Sequence, residues 1–295
     1  MLRGLNTAAA GMIANQRRHD TVTNNIANLN TPGYKANFAV QRSFPEMLIA
    51  LVGGGDGTNA QVSGVGRLNT GVFAEEAPAV YLQGDLMETR DLSDFAIVSN
   101  IQLPGIAFDA SGKYVSPEGE KTFQPQAMFA VRTSTGEEKY TRNGKFTIDA
   151  AGQLVTSDGY LVLDSERRPI QFDRNVSEIK MTPQGTLIDG VSGMPLTDEN
   201  EAPISFMVVR IENPNRLIRE GNGNFRLPPG DDEPGAIQQG DEVELFQGFI
   251  ERSNVDPTQA TIDLMAAARA YETNQRMVQF YDKSLEKAVN EVGRV

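Results

Sequence analysis

The sequence predicts an α+β protein: long helices at both ends, packing as a coiled-coil-like layer, around a β-rich and mostly antiparallel central domain. Three observations carry this. Leu2, Leu5, Ala9, Met12, Gln16, His19, Thr23 and Ile26 recur at alternating steps of three and four, the narrow seam of a helix that packs on other helices. Leu264, Ala268, Tyr271, Gln275, Val278, Tyr281, Leu285, Ala288 and Val292 repeat that pattern near the C-terminus, with one short step at Tyr281. Between the two seams lie short alternating runs separated by turn residues, the pattern of half-buried strands.

The first helix is expected over residues 2–28, roughly 40 Å long. It stops at Asn28-Leu29-Asn30-Thr31-Pro32-Gly33, where Pro32 disfavours helix at Thr31 and Gly33 permits a turn. Residues 34–51, broken at Pro45, read as a strand followed by one helical turn. The glycines at 53–57 read as a linker. From residue 61 to 249, strands are expected at Val72–Tyr81, Phe95–Val98, Met128–Thr133, Lys145–Ile148, Leu154–Val155, Tyr160–Leu163, Ile204–Ile211 and Asn224–Leu227. Asn143-Gly144, Asp158-Gly159 and Asp189-Gly190 read as hairpin turns, since these residues accept positive φ.

The last helix has a legible start. Asp256 is placed to cap it, Pro257 occupies the first helical position and Gln259 completes a capping box. It runs to about Val292 and ends at Gly293. The organisation that follows is a discontinuous helical domain from 1–60 and 251–295, and a β-rich domain over 61–250.

Composition narrows the function. The chain has 295 residues and no Cys, which excludes disulfides, thiolate metal sites and cysteine nucleophiles. No run approaches the length of a membrane span, and the N-terminal apolar run, interrupted by Asn6 and Thr7, does not read as a cleaved leader. The net charge of −12 is unevenly placed: residues 1–40 carry +3, residues 251–295 carry −1, and the remainder carries −14. An acidic body argues against nucleic acid and anionic membrane as partners, while the near-neutral ends can approach copies of themselves.

At 21–35 the chain reads Thr-Val-Thr-Asn-Asn-Ile-Ala-Asn-Leu-Asn-Thr-Pro-Gly-Tyr-Lys, which closely resembles the N-terminal signature of the bacterial flagellar rod and hook proteins. Thr141-Arg142-Asn143-Gly144-Lys145-Phe146, with Gly152-Gln153-Leu154-Val155 and Gly159 to Leu163, is similar to that family's central β motif. Ser253-Asn254-Val255-Asp256 and Arg269-Ala270-Tyr271-Glu272 resemble its C-terminal signature, and Gln83-Gly84-Asp85-Leu86 with Asp94-Phe95-Ala96-Ile97 also fits. These matches run in family order, and within the family length and central motif are most similar to the distal rod proteins. One departure stands out. Val98 to Gln126 separates two strands that the family usually places close together, and reads as an insertion or local rebuild.

The resemblance implies a structural, non-enzymatic subunit of the basal-body rod, outside the cytoplasmic membrane. It implies export through the flagellar type III apparatus, assembly with copies of itself and with other rod and hook proteins, and transmission of torque. It implies no cofactor and no metal. The assembly residues it points to are Asn24, Asn25, Ile26, Ala27, Asn28, Thr31, Pro32, Gly33 and Tyr34 in the N-terminal motif. The seam residues Leu2, Leu5, Ala9 and Met12, and Leu264, Ala268, Tyr271, Val278 and Leu285, join them. On pattern alone, the N-terminal seam reads at least as well as the core-facing stripe of an ordinary domain, and the C-terminal seam also reads as an antiparallel partner within the monomer. A hook–basal-body adaptor, a secreted β-rich binding module and, more remotely, a wall-remodelling enzyme are the competing readings. The enzyme needs an acid and a base of separated pKa, and the sequence shows no such constellation. The lone His19 has no second His or Cys with which to build a site.

Overall fold

The computed structural model describes residues 2–52, 62–75, 77–109, 112–172, 179–190, 193–197, 202–231, 233–238 and 240–292. The chain forms two compact units, one of Met1–Ala27, Asn37–Pro78 and Asp256–Val295, the other of Asn28–Ala36 and Ala79–Val255. The expected glycine linker at 53–57 and the stop at Gly293 lie outside the described residues.

The first unit holds helices α1 (Leu2–Ala27) and α2 (Pro257–Lys287), the latter followed by a π-helical turn at Ala288–Val292. Its strands are β1 (Gln41–Ser43), β2 (Met47–Val52), β3 (Val62–Leu68) and β4 (Val72–Ala74). The two helices run antiparallel: Gly4 faces Tyr281, Gly11 faces Asn274, and Arg18 Nη2 donates to Asp263 Oδ1 at 2.7 Å. The two glycines explain themselves here. A Cβ on Gly4 would lie 2.2 Å from the Tyr281 hydroxyl oxygen, and one on Gly11 would lie 2.9 Å from Asn274 Nδ2. Glycine in a helix interior costs about 1 kcal/mol relative to alanine, and at these positions it permits a closer approach of the partner side chains.

The cap of α2 forms as expected in one half only. Asp256 Oδ1 accepts from the Thr258 and Gln259 backbone N–H groups, but Gln259 Nε2 donates forward to Asp263 Oδ2 at 3.2 Å. The expected helical turn before residue 51 is replaced by strand. β2 pairs antiparallel with β3 from Met47↔Leu68 to Val52↔Val62, which provides hydrogen-bond partners along a segment that one isolated helical turn leaves largely unpaired. The run expected at Val72–Tyr81 is regular only over Val72–Ala74, and Pro78 within it cannot donate to a ladder.

The second unit contains β5 (Leu86–Glu88), β6 (Phe95–Asn100), β7 (Lys113–Val115), β8 (Lys121–Phe123), β9 (Gln126–Arg132), β10 (Glu138–Thr141) and β11 (Phe146–Ile148). It continues with β12 (Leu154–Thr156), β13 (Leu161–Val162), β14 (Ile179–Met181), β15 (Leu187–Asp189), β16 (Val208–Ile211), β17 (Ile218–Gly221) and β18 (Asn224–Arg226). The last three are β19 (Gly235–Ala236), β20 (Glu242–Gln247) and β21 (Phe249–Glu251). Among the described residues, the main sheet runs β11-β12-β13-β9-β10-β18-β17, with β16 also pairing β9 and β19. The strand pairings are antiparallel. β9 is its centre and is covered on both faces. Ala127, Phe129 and Val131 enter one apolar cluster, and Met128 and Ala130 enter the other, the two-residue alternation of a strand. Phe95, Phe129, Phe146 and Phe206 interlock in the first cluster, with centroids 4.7 Å apart for Phe95 and Phe206 and 5.3 Å for Phe129 and Phe146. The 98–126 stretch carries the β7–β8 hairpin and plants Ile101 in the same cluster.

Two of the three expected hairpin turns differ. Asp158-Gly159 joins the paired strands β12 and β13 as predicted, with Gly159 at φ 77°. Asn143-Gly144 does not join a hairpin: β10 pairs β9 and β18, and β11 pairs β12. The glycine serves close approach instead, since a Cβ there would lie 1.6 Å from the Phe95 carbonyl oxygen. At Asp189-Gly190 the chain does reverse, with Asp189 N–H donating to Met194 O at 2.9 Å, but the left-handed residue is Gly193 at φ 69°.

The helix packing gives a direct test. Gly11→Leu drives a side chain into Asn274 and should cost about 1–3 kcal/mol by overpacking. Circular dichroism should lose helical signal, and amide exchange should quicken over 2–27 and 257–287 while 126–141 stays protected. Unchanged exchange in both helices would contradict the glycine contact.

Candidate functional site

The signature segments met separately along the chain converge on one buried ion cluster in the second unit. Its three ionisable members are Lys35, Arg142 and Glu251, each 1% exposed. Lys35 Nζ donates to Glu251 Oε1 at 2.6 Å and to the Leu82 carbonyl at 2.6 Å. Arg142 Nε donates to Glu251 Oε2 at 2.9 Å. The Gly84 N–H completes the carboxylate's shell, donating to Oε1 at 2.9 Å.

Arg142 uses all five of its donors. Besides the carboxylate, Nη1 reaches Ser99 Oγ at 3.0 Å and Ala127 O at 2.8 Å, and Nη2 reaches Gln83 Oε1 at 2.6 Å and Ile97 O at 3.1 Å. One guanidinium thereby ties β6, β9, the segment at Gln83 and β21 to the end of β10. Two cations share one carboxylate, so the cluster carries a net positive charge inside the unit. Burial pushes Lys35 down to about 8, and Arg142 adds to this while Glu251 opposes it. Burial alone raises Glu251, but the Arg142 and Lys35 charges and the donors on its oxygens hold it below the usual carboxylate range.

The polypeptide on either side of the cluster is clasped to itself. Gly33 N–H donates to the Glu251 carbonyl at 2.8 Å, and Asn254 N–H to the Tyr34 carbonyl at 3.3 Å. The Asn254 side chain accepts from Ala36 N–H at 2.7 Å and donates to Val80 O at 2.8 Å. Gly33 stands at φ +68°, where a Cβ would lie 2.6 Å from the Arg142 carbonyl carbon, so position 33 has both a conformational and a steric reason for glycine. Arg219 lies 5.1 Å from the Tyr34 ring centroid and donates to Lys35 O at 2.8 Å.

The residues expected at the N-terminal motif divide between two environments. Gly33, Tyr34 and Asn25 are buried; Ile26, Asn28, Thr31 and Pro32 are half-buried; Asn24 and Ala27 are exposed. Asn25 forms a two-way backbone pairing, donating through Nδ2 to Asn37 O at 2.7 Å and accepting from Asn37 N–H at 3.0 Å. Asn28 Oδ1 accepts from Thr31 Oγ1 at 3.1 Å. Leu5, Ala9 and Met12 on α1, and Leu264, Ala268, Tyr271, Val278 and Leu285 on α2, are half-buried, and Leu2 opens α1. The fully covered helix positions are others: Ala8, Ala14, Val22 and Asn25 on α1, Ala260 and Ala267 on α2.

Lys35, Arg142, Gln83 and Asn254 lie within the signature segments without a role legible there, and Glu251 lies outside those segments. Arg142 stands in a polar stretch, Glu138-Lys139-Tyr140-Thr141-Arg142-Asn143, so nothing local marks it as buried or names its partner. Elsewhere, Asp91 and Asp94 differ in proton affinity, but for local reasons. Ser93 N–H and Oγ both donate to Asp91 and hold it down, while burial pushes Asp94 up. Among the described residues, no group of three or more His, Cys, Asp or Glu side chains could hold a metal ion. No described helix is long and apolar enough to cross a membrane.

Three family descriptions match the chain in order. Residues 5–35 match the flagella basal body rod protein family, 124–188 the flagellar hook protein FlgE/F/G D1 domain, and 247–291 the flagellar basal body rod FlgEFG protein C-terminal region. The cluster draws one member from each: Lys35, Arg142 and Glu251. The flagellar hook-basal body complex protein FlhO of Bacillus subtilis is 34% identical over 298 residues, covering 100% of both chains. The flagellar basal-body rod protein FlgG of Borreliella burgdorferi is 29% identical over 98% of both. FlgG of Bacillus subtilis is 26% identical, over 98% of this chain and 99% of its own.

Removing the anion should be severe. Glu251→Gln leaves two buried cations without a carboxylate and should cost about 3–5 kcal/mol in chemical denaturation of the second unit; a loss under about 1 kcal/mol would contradict the cluster. The pH dependence has two limbs. Glu251 is held low, so its contribution is complete above the unfolded carboxylate pKa and is lost as pH falls through its lower folded value. Lys35 is also held low, so the unfolded chain binds its proton more tightly, and stability should rise with pH from about 8 toward 10.5. Denaturation series at pH 3–5 and pH 7.5–10 check both signs.

Proposed function

The chain belongs to the family of flagellar basal-body rod and hook proteins, and on that premise we propose that it is a structural subunit of the bacterial basal-body rod. In this reading it self-assembles into a helical tube outside the cytoplasmic membrane and passes torque from motor to hook. It reaches that place through the flagellar type III export apparatus, and its neighbours are copies of itself and other rod and hook proteins.

The carrying observation is the end-to-end correspondence with family members, both terminal signatures included. The helices support it. Ile262, Met265, Met277 and Phe280 on α2, and Ile13 on α1, expose large apolar side chains, surface that repeated copies can cover. With the half-buried seams, these surfaces suit a coiled-coil-like inner layer built by head-to-tail contacts that propagate rather than close. The exposed Asn24 and Ala27 join that surface, while Gly33 and Tyr34 set the exit of the chain from α1.

A second reading, an adaptor within the hook–basal body complex, is favoured by one observation. The 34%-identical relative carries the name hook-basal body complex protein. It differs from the first in the neighbours above and below the subunit and keeps the same assembly chemistry.

Phe280, 64% exposed, separates assembly from folding. Phe280→Asp should change monomer stability by no more than about 0.5 kcal/mol and abolish rod formation, read as loss of swimming and of rods in isolated basal bodies. Normal rods and motility would remove α2 from the assembly surface.

A further inference from the structure

The ion cluster has an order built into it along the chain. Lys35 precedes Glu251 by 216 residues and Arg142 precedes it by 109. The neutral acceptors of Arg142, on Gln83, Ile97, Ser99 and Ala127, all lie N-terminal to it. The same holds for Lys35's second acceptor, at Leu82, which also precedes Arg142. A chain available only to about residue 240 therefore holds every partner in this cluster except the carboxylate. Closing the second unit at that stage would bury two cations without their anion, which is strongly unfavourable.

The last two strands supply what is missing. β20 pairs with β6 from Glu242↔Asn100 to Gln247↔Phe95 and places Leu245 in the core. β21 pairs with β5 and ends on Glu251 itself. The residue that supplies the cluster's anion is thus the final residue of the last described strand, which pairs with β5 in a two-stranded sheet.

We propose that the Lys35–Arg142–Glu251 cluster is a closing lock, which keeps the β-rich unit from completing its core until Glu251 enters between the two cations. A chain presented from its N-terminus then keeps this unit open until all but its last 44 residues are available. An apolar junction at the same place would impose no such order, because β9, β10 and β16 could consolidate on their own.

The position of Gln83 supplies the test. Its Oε1 accepts from Arg142 Nη2 at 2.6 Å, so Gln83→Glu gives Arg142 an anion early in the chain with almost no change of shape. Refolding of the full chain is followed by pulsed hydrogen exchange and mass spectrometry. In the unaltered chain, amides at 126–141 should gain protection together with 242–251. In Glu251→Gln, protection at 126–141 should fall about a hundredfold or more. In Gln83→Glu, 126–141 should become protected before 242–251, and Gln83→Glu/Glu251→Gln should recover protection that Glu251→Gln loses. If Glu251→Gln does not fold at all, Gln83→Glu alone still decides the matter. An unchanged order of protection in Gln83→Glu would overturn the lock, as would wild-type protection in Glu251→Gln.

Discussion

A single carboxylate shared by two buried cations governs the β-rich unit. Glu251 meets Lys35 on one oxygen and Arg142 on the other, and Arg142 directs its remaining donors to β6, β9 and Gln83. Buried ion pairs are weak sources of stability when compared with apolar packing, but their disruption is costly because a charge is left without a partner. The cluster is therefore best understood as specifying which segments meet. It joins the exit of the first helix, the centre of the sheet and the approach to the last helix.

That constraint explains why the helix exits are well defined while the helices themselves leave apolar surface uncovered. Residues 33–36 are buried in the β-rich unit, and Asn254 is fastened to Tyr34, Ala36 and Val80. The helices, by contrast, meet over small residues: Gly4 against Tyr281 and Gly11 against Asn274. Such a contact is close. It leaves the longer seam side chains half-buried and places Met277 and Phe280 in solvent. Long helices draw most of their stability from tertiary packing, and this pair leaves apolar surface without such packing.

Much of the architecture was legible in the sequence because it depends on local chemistry. Asp256-Pro257 announces a helix start whatever the tertiary context, and the runs around Phe95, Met128 and Phe146 are apolar enough to be strands. What was illegible depends on distant neighbours. Gly144 resembled half of a hairpin turn, whereas it is there because Phe95 O approaches it from another strand. Met47 to Val52 resembled a helical turn until β3 provided a ladder. The cluster was the least legible feature: Lys35 and Arg142 lie within signature segments, but nothing local at position 251 says that two cations 107 residues apart share it. On α1 the buried positions are Ala8, Ala14, Val22 and Asn25, while Leu5, Ala9 and Met12 of the seam are half-buried.

The most direct measurement of the central claim is a double-mutant cycle between positions 142 and 251, read by denaturant unfolding of the full chain at pH 7. Arg142→Met and Glu251→Gln should each destabilise, and together they should cost less than their sum by about 1–3 kcal/mol. The coupling arises because removal of either partner strands the other. Additivity within about 0.3–0.5 kcal/mol would mean that the two side chains do not depend on one another, and the account of the β-rich unit as organised around Glu251 would be wrong.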